Sequence, residues 1–404
     1  MKKTIFYLLL CITTLNVNAM SFTIQGNIEG LMPGDTLTFE RFTIPGFHSE
    51  LAFQVIVEKP NEFTYTGTHE HIGSYIMTYK PVSGTVARSD RTGLSILIED
   101  GTTRLTGTTA DIYRLSIQGG LYDSEALQEI RQLDNLLGKE RMNLMRLVDE
   151  ARAVGDSIKM REYGDRFNTF RSERQDDFQR LSQLQNAFYE AYPNSPHTIV
   201  STLQMIMTAP FETTLSRFEK MNDEARNSYF GQILTREIGR MEALQPGNSA
   251  PDFHLITTEG REISLSDLAG SYVLIYHWGL CPGSLQVNNW VVDLHNQFSE
   301  HLVIIGVTDR IEVIRNLYDN TQPGSMFMNN LELKPILANM LAHPWLDAER
   351  IIGNNNQIAT DFAFGGLPFF VFISPDGKII SRDFFSTFNI ARNRMEEKFG
   401  ARQE

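Results

Sequence analysis

Tyr272-Val273-Leu274-Ile275-Tyr276-His277-Trp278-Gly279-Leu280-Cys281-Pro282-Gly283-Ser284 is the stretch on which the fold turns. Residues 272–277 form an apolar run with the length and the aromatic, β-branched content of a buried strand. The run breaks at Gly279. From residue 285 to 298 apolar positions return at helical spacing, with Trp290, Val291, Leu294 and Phe298 on the inward side. The chain thus passes from a buried strand through a short loop into a helix, and that loop holds Cys281. A thiol at a helix N-terminus sits beside free backbone N–H groups and the positive end of the helix dipole, and both favour the thiolate. The alternative is a buried structural cysteine, because free cysteines are common core residues.

Working outward, residues 302–307 read as a second buried strand, while 369–373 and 379–382 form a hairpin over Pro375-Asp376-Gly377. Residues 390–399 read as a closing helix. Strand, helix and strand followed by a hairpin and a last helix predict a mixed central sheet covered on both faces. Upstream, Pro246-Gly247-Asn248-Ser249-Ala250-Pro251 is a loop signal and marks a domain boundary at 244/245.

Several of these segments together resemble the redoxin family related to thioredoxin. Ala250-Pro251-Asp252-Phe253, residues 260–270 with their core Ile263-Ser264-Leu265-Ser266-Asp267-Leu268, and the strand at 272–277 are similar to its beginning. Gly366-Leu367-Pro368-Phe369-Phe370-Val371-Phe372-Ile373 and Pro375-Asp376-Gly377-Lys378-Ile379 resemble its proline loop and following hairpin. The family includes exported thiol–disulfide oxidoreductases of the TlpA/ResA type and, more distantly, AhpC/TSA-like peroxiredoxins. The resemblance covers residues 245–404. It implies an α/β thioredoxin-like domain that acts on protein thiols or disulfides and has no tightly bound cofactor.

Where the family carries Cys-x-x-Cys, this chain has Cys281-Pro282-Gly283-Ser284. The resemblance makes Cys281 the nucleophile. Ser284 can hydrogen-bond a thiolate but cannot attack a mixed disulfide as a second thiol would, so a dithiol cycle is excluded. Two readings stay open. One is a monothiol mechanism resolved by an external thiol; the other is a non-catalytic binding module for a protein or peptide ligand. Pro368 matches the family's cis-proline and Leu367 the substrate-facing residue before it; X–Pro bonds are the ones commonly found cis. The alternative for Pro368 is a trans proline at a strand edge. Trp278 is expected to shield the loop and meet the substrate, since Leu280 occupies the place of the family's usual tryptophan. Peroxiredoxins carry a threonine three residues before the reactive cysteine and a proline four before that. Trp278 and Leu274 stand there instead, which argues against peroxide reduction. His277 either polarises the thiol or packs its ring as the family's aromatic residue does. His343-Pro344-Trp345 falls in the stretch between Thr308 and Leu367, where the family carries inserted elements, and is expected to border the substrate groove.

The front of the chain differs in character. Over residues 20–115, Phe22-Thr23-Ile24-Gln25-Gly26-Asn27-Ile28 alternates apolar and polar residues, and 36–42, 52–57, 74–79 and 94–98 continue the pattern. Glu99-Asp100-Gly101 followed by 103–107 reads as a hairpin. A small antiparallel β-sandwich is expected, similar to β-domains fused to exported redoxins. Residues 116–244 read as an all-α connector. Leu127, Ile130, Leu133, Leu137, Leu144, Leu147 and Val148 recur at helical spacing, and a second helix runs from about residue 157 to 192 and ends at Tyr192-Pro193. The apolar stripe serves either core packing or a partner surface.

The 404 residues exceed what one core usually holds. A net charge of −13 leaves no basic excess for nucleic acid. Lys2 and Lys3, an apolar run at 5–12 and Val17-Asn18-Ala19 read as a signal peptide over residues 1–19, which predicts export to the periplasm or cell envelope. A lipid anchor at Cys11 is disfavoured by the large Leu10 before it. No later apolar run is long enough to span a bilayer. The mature chain then holds the single thiol of Cys281, and the scattered histidines show no metal-ligand spacing.

Overall fold

The computed structural model describes residues 20–41, 50–86, 89, 91–327 and 331–400. The expected leader, with Cys11, lies outside the described residues. Two compact units form, one reaching to Thr202 and including Arg217–Gln232, the other comprising Leu203–Ser216 and the chain from Ile233 onward.

The first unit opens with eight strands: β1 (Met20–Glu29), β2 (Thr36–Arg41), β3 (Glu50–Ile56), β4 (Glu62–His69), β5 (Gly73–Lys80), β6 (Leu94–Ile98), β7 (Gly101–Thr108) and β8 (Ser116–Gln118). They make two four-stranded sheets, ordered β4-β1-β7-β8 and β3-β2-β5-β6. Phe22, Ile24 and Ile28 of β1 are buried while Gln25 and Asn27 face out, as the alternation requires. The expected hairpin over Glu99-Asp100-Gly101 is a correction. β6 pairs with β5, whereas β7 pairs in parallel with β1 and antiparallel with β8, so the turn carries the chain from one sheet to the other. Alternation reports which face of a strand is buried, and it is silent on which neighbour lies at each edge. The parallel β1–β7 pair also makes this sheet mixed.

Helices α1 (Glu125–Ala153), α2 (Ser157–Glu173) and α3 (Gln175–Ala191) follow. The single helix expected over 157–192 is broken at Arg174, whose φ of −106° and ψ of 24° leave the helical region. Leu127, Ile130, Leu137 and Leu144 of α1, with Phe170, Leu181 and Phe188, join Phe22, Ile24, Phe39 and Leu105 in one hydrophobic core. The apolar stripe is therefore internal packing, and α1–α3 are the partner that the strands bury against. The division between the two units falls within α4 (Pro196–Met205), α5 (Phe211–Glu219) and α7 (Tyr229–Ala243), with α6 (Asp223–Asn227) in the first.

The second unit contains β9 (His254–Ile256), β10 (Glu262–Ser264), β11 (Tyr272–His277), α8 (Pro282–Phe298), β12 (Leu302–Thr308), α9 (Ile311–Asn320), β13 (Met326–Phe327), β14 (Leu331–Glu332), α10 (Leu333–Leu341), β15 (Leu346–Glu349), α11 (Gln357–Asp361), β16 (Phe369–Ile373), β17 (Ile379–Asp383) and α12 (Phe385–Phe399). Its five-stranded sheet runs β15-β12-β11-β16-β17, with β11, β12 and β15 parallel, β16 antiparallel to β11, and β17 antiparallel to β16. Every residue of β11 and β16 is buried, as befits central strands covered on both faces. Val287, Val291 and Leu294 of α8 and Phe388 of α12 pack with Leu274, Tyr276, Phe370 and Phe372 on one of those faces. Arg240 of α7 donates to the Thr360 carbonyl and pairs with the buried Glu237.

Gly138, inside α1, gives a test of the shared core of the first unit. A Cβ there would overlap the guanidinium of Arg114, which is buried and donates to the Asp134 carbonyl at 2.9 Å. Gly to Ala in a helix interior ordinarily stabilises by about 1 kcal/mol. Here Gly138→Ala is expected to destabilise by roughly 1–3 kcal/mol through overpacking. Denaturant unfolding checks the sign, and an increase in stability would show that Arg114 is not held against α1.

Candidate functional site

The site is built where β11 feeds α8. Cys281 is the N-cap of α8, with extended backbone (φ −134°, ψ 156°), and Pro282 takes the first helical position, where a missing N–H leaves nothing unsatisfied. The sulfur plays the part usually given to a capping oxygen: Sγ accepts the Ser284 N–H at 3.3 Å. Leu285 N–H donates to the Cys281 carbonyl at 3.0 Å and starts the helix. Cys281 is half-buried. Beneath it Ser284 is 0% exposed, and its Oγ accepts from the Cys281 S–H at 3.3 Å and from the Gly279 N–H at 3.3 Å.

The proline loop lies against this turn. The Leu367–Pro368 peptide bond is cis, Pro368 is buried and Leu367 half-buried. A Cβ on Gly283 would fall 2.6 Å from Pro368 Cδ, and one on Gly279 would fall 3.0 Å from Leu367 Cδ1. Pro368 and Leu367 therefore touch the two glycines that flank Cys281. Leu280 and Phe385, each 38% exposed, add apolar surface to the rim. The structure thus gathers Cys281, Ser284, Leu367 and Pro368 in one place.

Trp278 is not with them. The expected substrate-facing ring is 0% exposed. Its backbone N–H still bonds to Val307 in the manner of the sheet, so the side chain follows the alternation of β11 and points inward beside Tyr276. Its Nε1 donates to Asp347 Oδ1 at 2.9 Å, and His343 hydrogen-bonds Asp347 Oδ2 at 2.9 Å and Asn288 Oδ1 at 2.8 Å. His343 and Trp345 stack 4.2 Å apart and are both buried, so this segment anchors the core and does not border a groove.

Tyr276 is a site residue that the sequence reading passed over. Its ring stacks on Phe370 at 4.9 Å and is wholly buried. Its hydroxyl reaches toward Ser284 without completing a hydrogen bond of ordinary geometry, and Cys281 and Asp347 lie near it. Burial drives its ionisation far above the ordinary tyrosine range, so it stays protonated. The available signal was a hydroxyl-bearing ring at the end of a buried strand, five residues before the loop cysteine.

His277 occupies the opposite face of β11. Its Nδ1 lies 3.0 Å from the Gly366 carbonyl and its ring stacks on Phe364 at 4.6 Å, so it packs against the proline loop. Burial, reinforced by the charge of Arg350 and opposed by the Gly366 bond, lowers its pKa to about 4. Among the described residues no cluster of histidine, cysteine or carboxylates is arranged to hold a metal, and no helix is long and apolar enough to cross a membrane. The first unit holds a cavity of about 500 Å³, lined in part by His71, Asn194, Asn222, Tyr229 and Phe230.

The neutral His277 has a consequence for acid stability. Between its usual pKa of 6.5 and about 4 the unfolded chain binds this proton and the folded one does not. Folding stability is therefore expected to fall as pH drops from about 6.5 to 4. His277→Gln, which retains a donor for Gly366, should flatten that decline in denaturant titrations at pH 7.5 and 4.5. An unchanged slope would show that the imidazole is already protonated in the folded protein.

Residues 246–382 match the family model described as the AhpC/TSA family. No curated protein matches the chain. Among solved structures, the chain is similar to the thioredoxin domain of a thiol-disulfide oxidoreductase from Bacteroides vulgatus, at 18% identity and TM-score 0.26 over 36% of this chain and 96% of that one. It is similar also to a thiol:disulfide interchange protein from Bacteroides sp. (19%, TM-score 0.30, 40% and 95%) and to a thiol-disulfide oxidoreductase from Bacteroides fragilis (20%, TM-score 0.26, 35% and 98%). The five-stranded mixed sheet, the thiol at the start of α8 and the facing proline loop make the C-terminal part of this chain a thioredoxin-like domain, and its residues 246–382 match the AhpC/TSA family.

Proposed function

We propose that this is an exported thiol–disulfide oxidoreductase-type protein working through one thiol, Cys281, on protein thiols and disulfides of the cell envelope. The observation that carries the reading is the half-buried Cys281 sulfur at the N-cap of α8, with Leu367 and Pro368 against the two glycines that flank it. The leader-like residues 1–19 support export. In the first step the Cys281 thiolate attacks one sulfur of a client disulfide. The client S–S bond breaks, a Cys281–client disulfide forms, and the other client sulfur leaves as a thiolate and takes up a proton. An external thiolate then attacks the client sulfur of the mixed disulfide. A client–external disulfide forms and the Cys281 thiolate is regenerated. Ser284 and Leu367 would orient these partners, Ser284 by hydrogen bonding and Leu367 by presenting an apolar edge and a backbone to an extended client.

Mixed disulfides through Cys281 should accumulate when cells producing the full chain are acid-quenched and alkylated, and should vanish in Cys281→Ala. Non-reducing electrophoresis reads the result. No adducts, with client capture unaffected by the substitution, would favour the binding-module reading. Ser284→Cys should create a redox pair that reduces insulin with dithiothreitol as donor, where the wild-type protein does so at least ~10-fold more slowly. A folded Ser284→Cys variant without that gain would mean that position 284 is out of reach of the sulfur.

A further inference from the structure

Hydrogen-bond bookkeeping around Ser284 yields more than its role as a neighbour of Cys281. A serine hydroxyl has two acceptor lone pairs and one proton to donate. With Cys281 as a thiol, both lone pairs are occupied, one by the Cys281 S–H and one by the Gly279 N–H, each at 3.3 Å. Tyr276 points its hydroxyl toward Ser284 in the same buried space but completes no hydrogen bond of ordinary geometry there. A buried hydroxyl without an acceptor is an unfavourable arrangement. Stacking of the Tyr276 ring on Phe370 and Trp278 holds the hydroxyl where it is.

Loss of the S–H changes the count. The sulfur becomes an acceptor only, and one lone pair on Ser284 Oγ is vacated. We propose that Tyr276 is a positioning residue for Cys281: its hydroxyl then donates to Ser284 Oγ and so turns the Ser284 hydroxyl proton onto the sulfur. In that arrangement the sulfur accepts from both the N–H and the O–H of Ser284, while Ser284 Oγ accepts from Gly279 and Tyr276. Every donor has an acceptor only when the sulfur carries no proton, which is the condition of the attacking thiolate and of the mixed disulfide. The cluster thus favours the two forms of Cys281 that a monothiol exchange reaction uses. This inference rests on the reading of Cys281 as a nucleophile.

Tyr276→Phe removes the oxygen and keeps the ring. Alkylation of Cys281 by iodoacetamide at pH 7 is expected to slow about 3- to 10-fold in this variant, with the two rates converging at high pH where no help is needed. Ser284→Ala should slow the reaction at least as much. The double variant should be no slower than Ser284→Ala alone, because Tyr276 acts through Ser284. A Tyr276→Phe rate within 2-fold of wild type, or slowing that adds to that of Ser284→Ala, would overturn the inference. If Tyr276→Phe fails to fold, the wild-type chain still decides. Capping Cys281 as its methyl disulfide should raise the melting temperature by giving Tyr276 an acceptor, and a fall would overturn the proposal. Wild-type alkylation no faster than that of a free cysteine peptide would instead remove the nucleophile reading itself.

Discussion

A sulfur atom stands where a helix ordinarily places an oxygen. The Cys281 side chain caps α8 by accepting the Ser284 N–H, and the surrounding structure follows from that one hydrogen bond. Capping satisfies one of the backbone donors that the first turn of a helix leaves without an intrahelical acceptor. Helix initiation and the placing of the sulfur are therefore one interaction seen from two sides. The cap also demands room: a side chain at Gly283 would collide with the Pro368 ring, and one at Gly279 would press on the end of the Leu367 side chain.

Strand β11 carries the site because its two faces do different work. Tyr276 and, beyond the strand, Trp278 pack on the side of α8, and Trp278 is tied to Asp347 and through it to His343. His277, between them, faces the other way and holds the Gly366 carbonyl. One residue of offset in this strand would exchange the two sets and separate the thiol's hydrogen-bond partners from the proline loop's anchor.

Much of this was legible in the sequence. The buried run at 272–277, the loop cysteine and the apolar stretch at 369–373 each reveal their state locally, through uninterrupted hydrophobicity and a change of period. Pro368 and Ser284 came into view through the resemblance of their segments to the redoxin family's proline loop and Cys-x-x-Cys pair. The exposure of Trp278 was not legible, because alternation continues past the last residue assigned to β11 and only the partner strand reveals this. The path of β7 was hidden for a related reason. A turn signal such as Glu99-Asp100-Gly101 marks a reversal of direction, and long-range pairing with β1 decides which sheet receives the next strand. Tyr276 escaped attention because a tyrosine in a buried strand is usually read as bulk, and its value here lies in a single oxygen.

The second unit begins earlier than the family-matched segment does. Leu203, Ile206 and Met207, and then Leu234, Ile238 and Met241, are buried and belong to the same compact unit as Cys281. The carbonyl of Met207 lies so near Gly365, next to the proline loop, that a Cβ there would be 2.5 Å away, and Arg240 fastens the carbonyl of Thr360. A fragment cut at residue 245, the boundary that the loop of prolines and glycines invites, would leave behind the backing on which the 360–366 segment rests. The thioredoxin-like fold is thus completed by helices that precede the matched segment, and it cannot be treated as a cassette lifted out at its own homology limits.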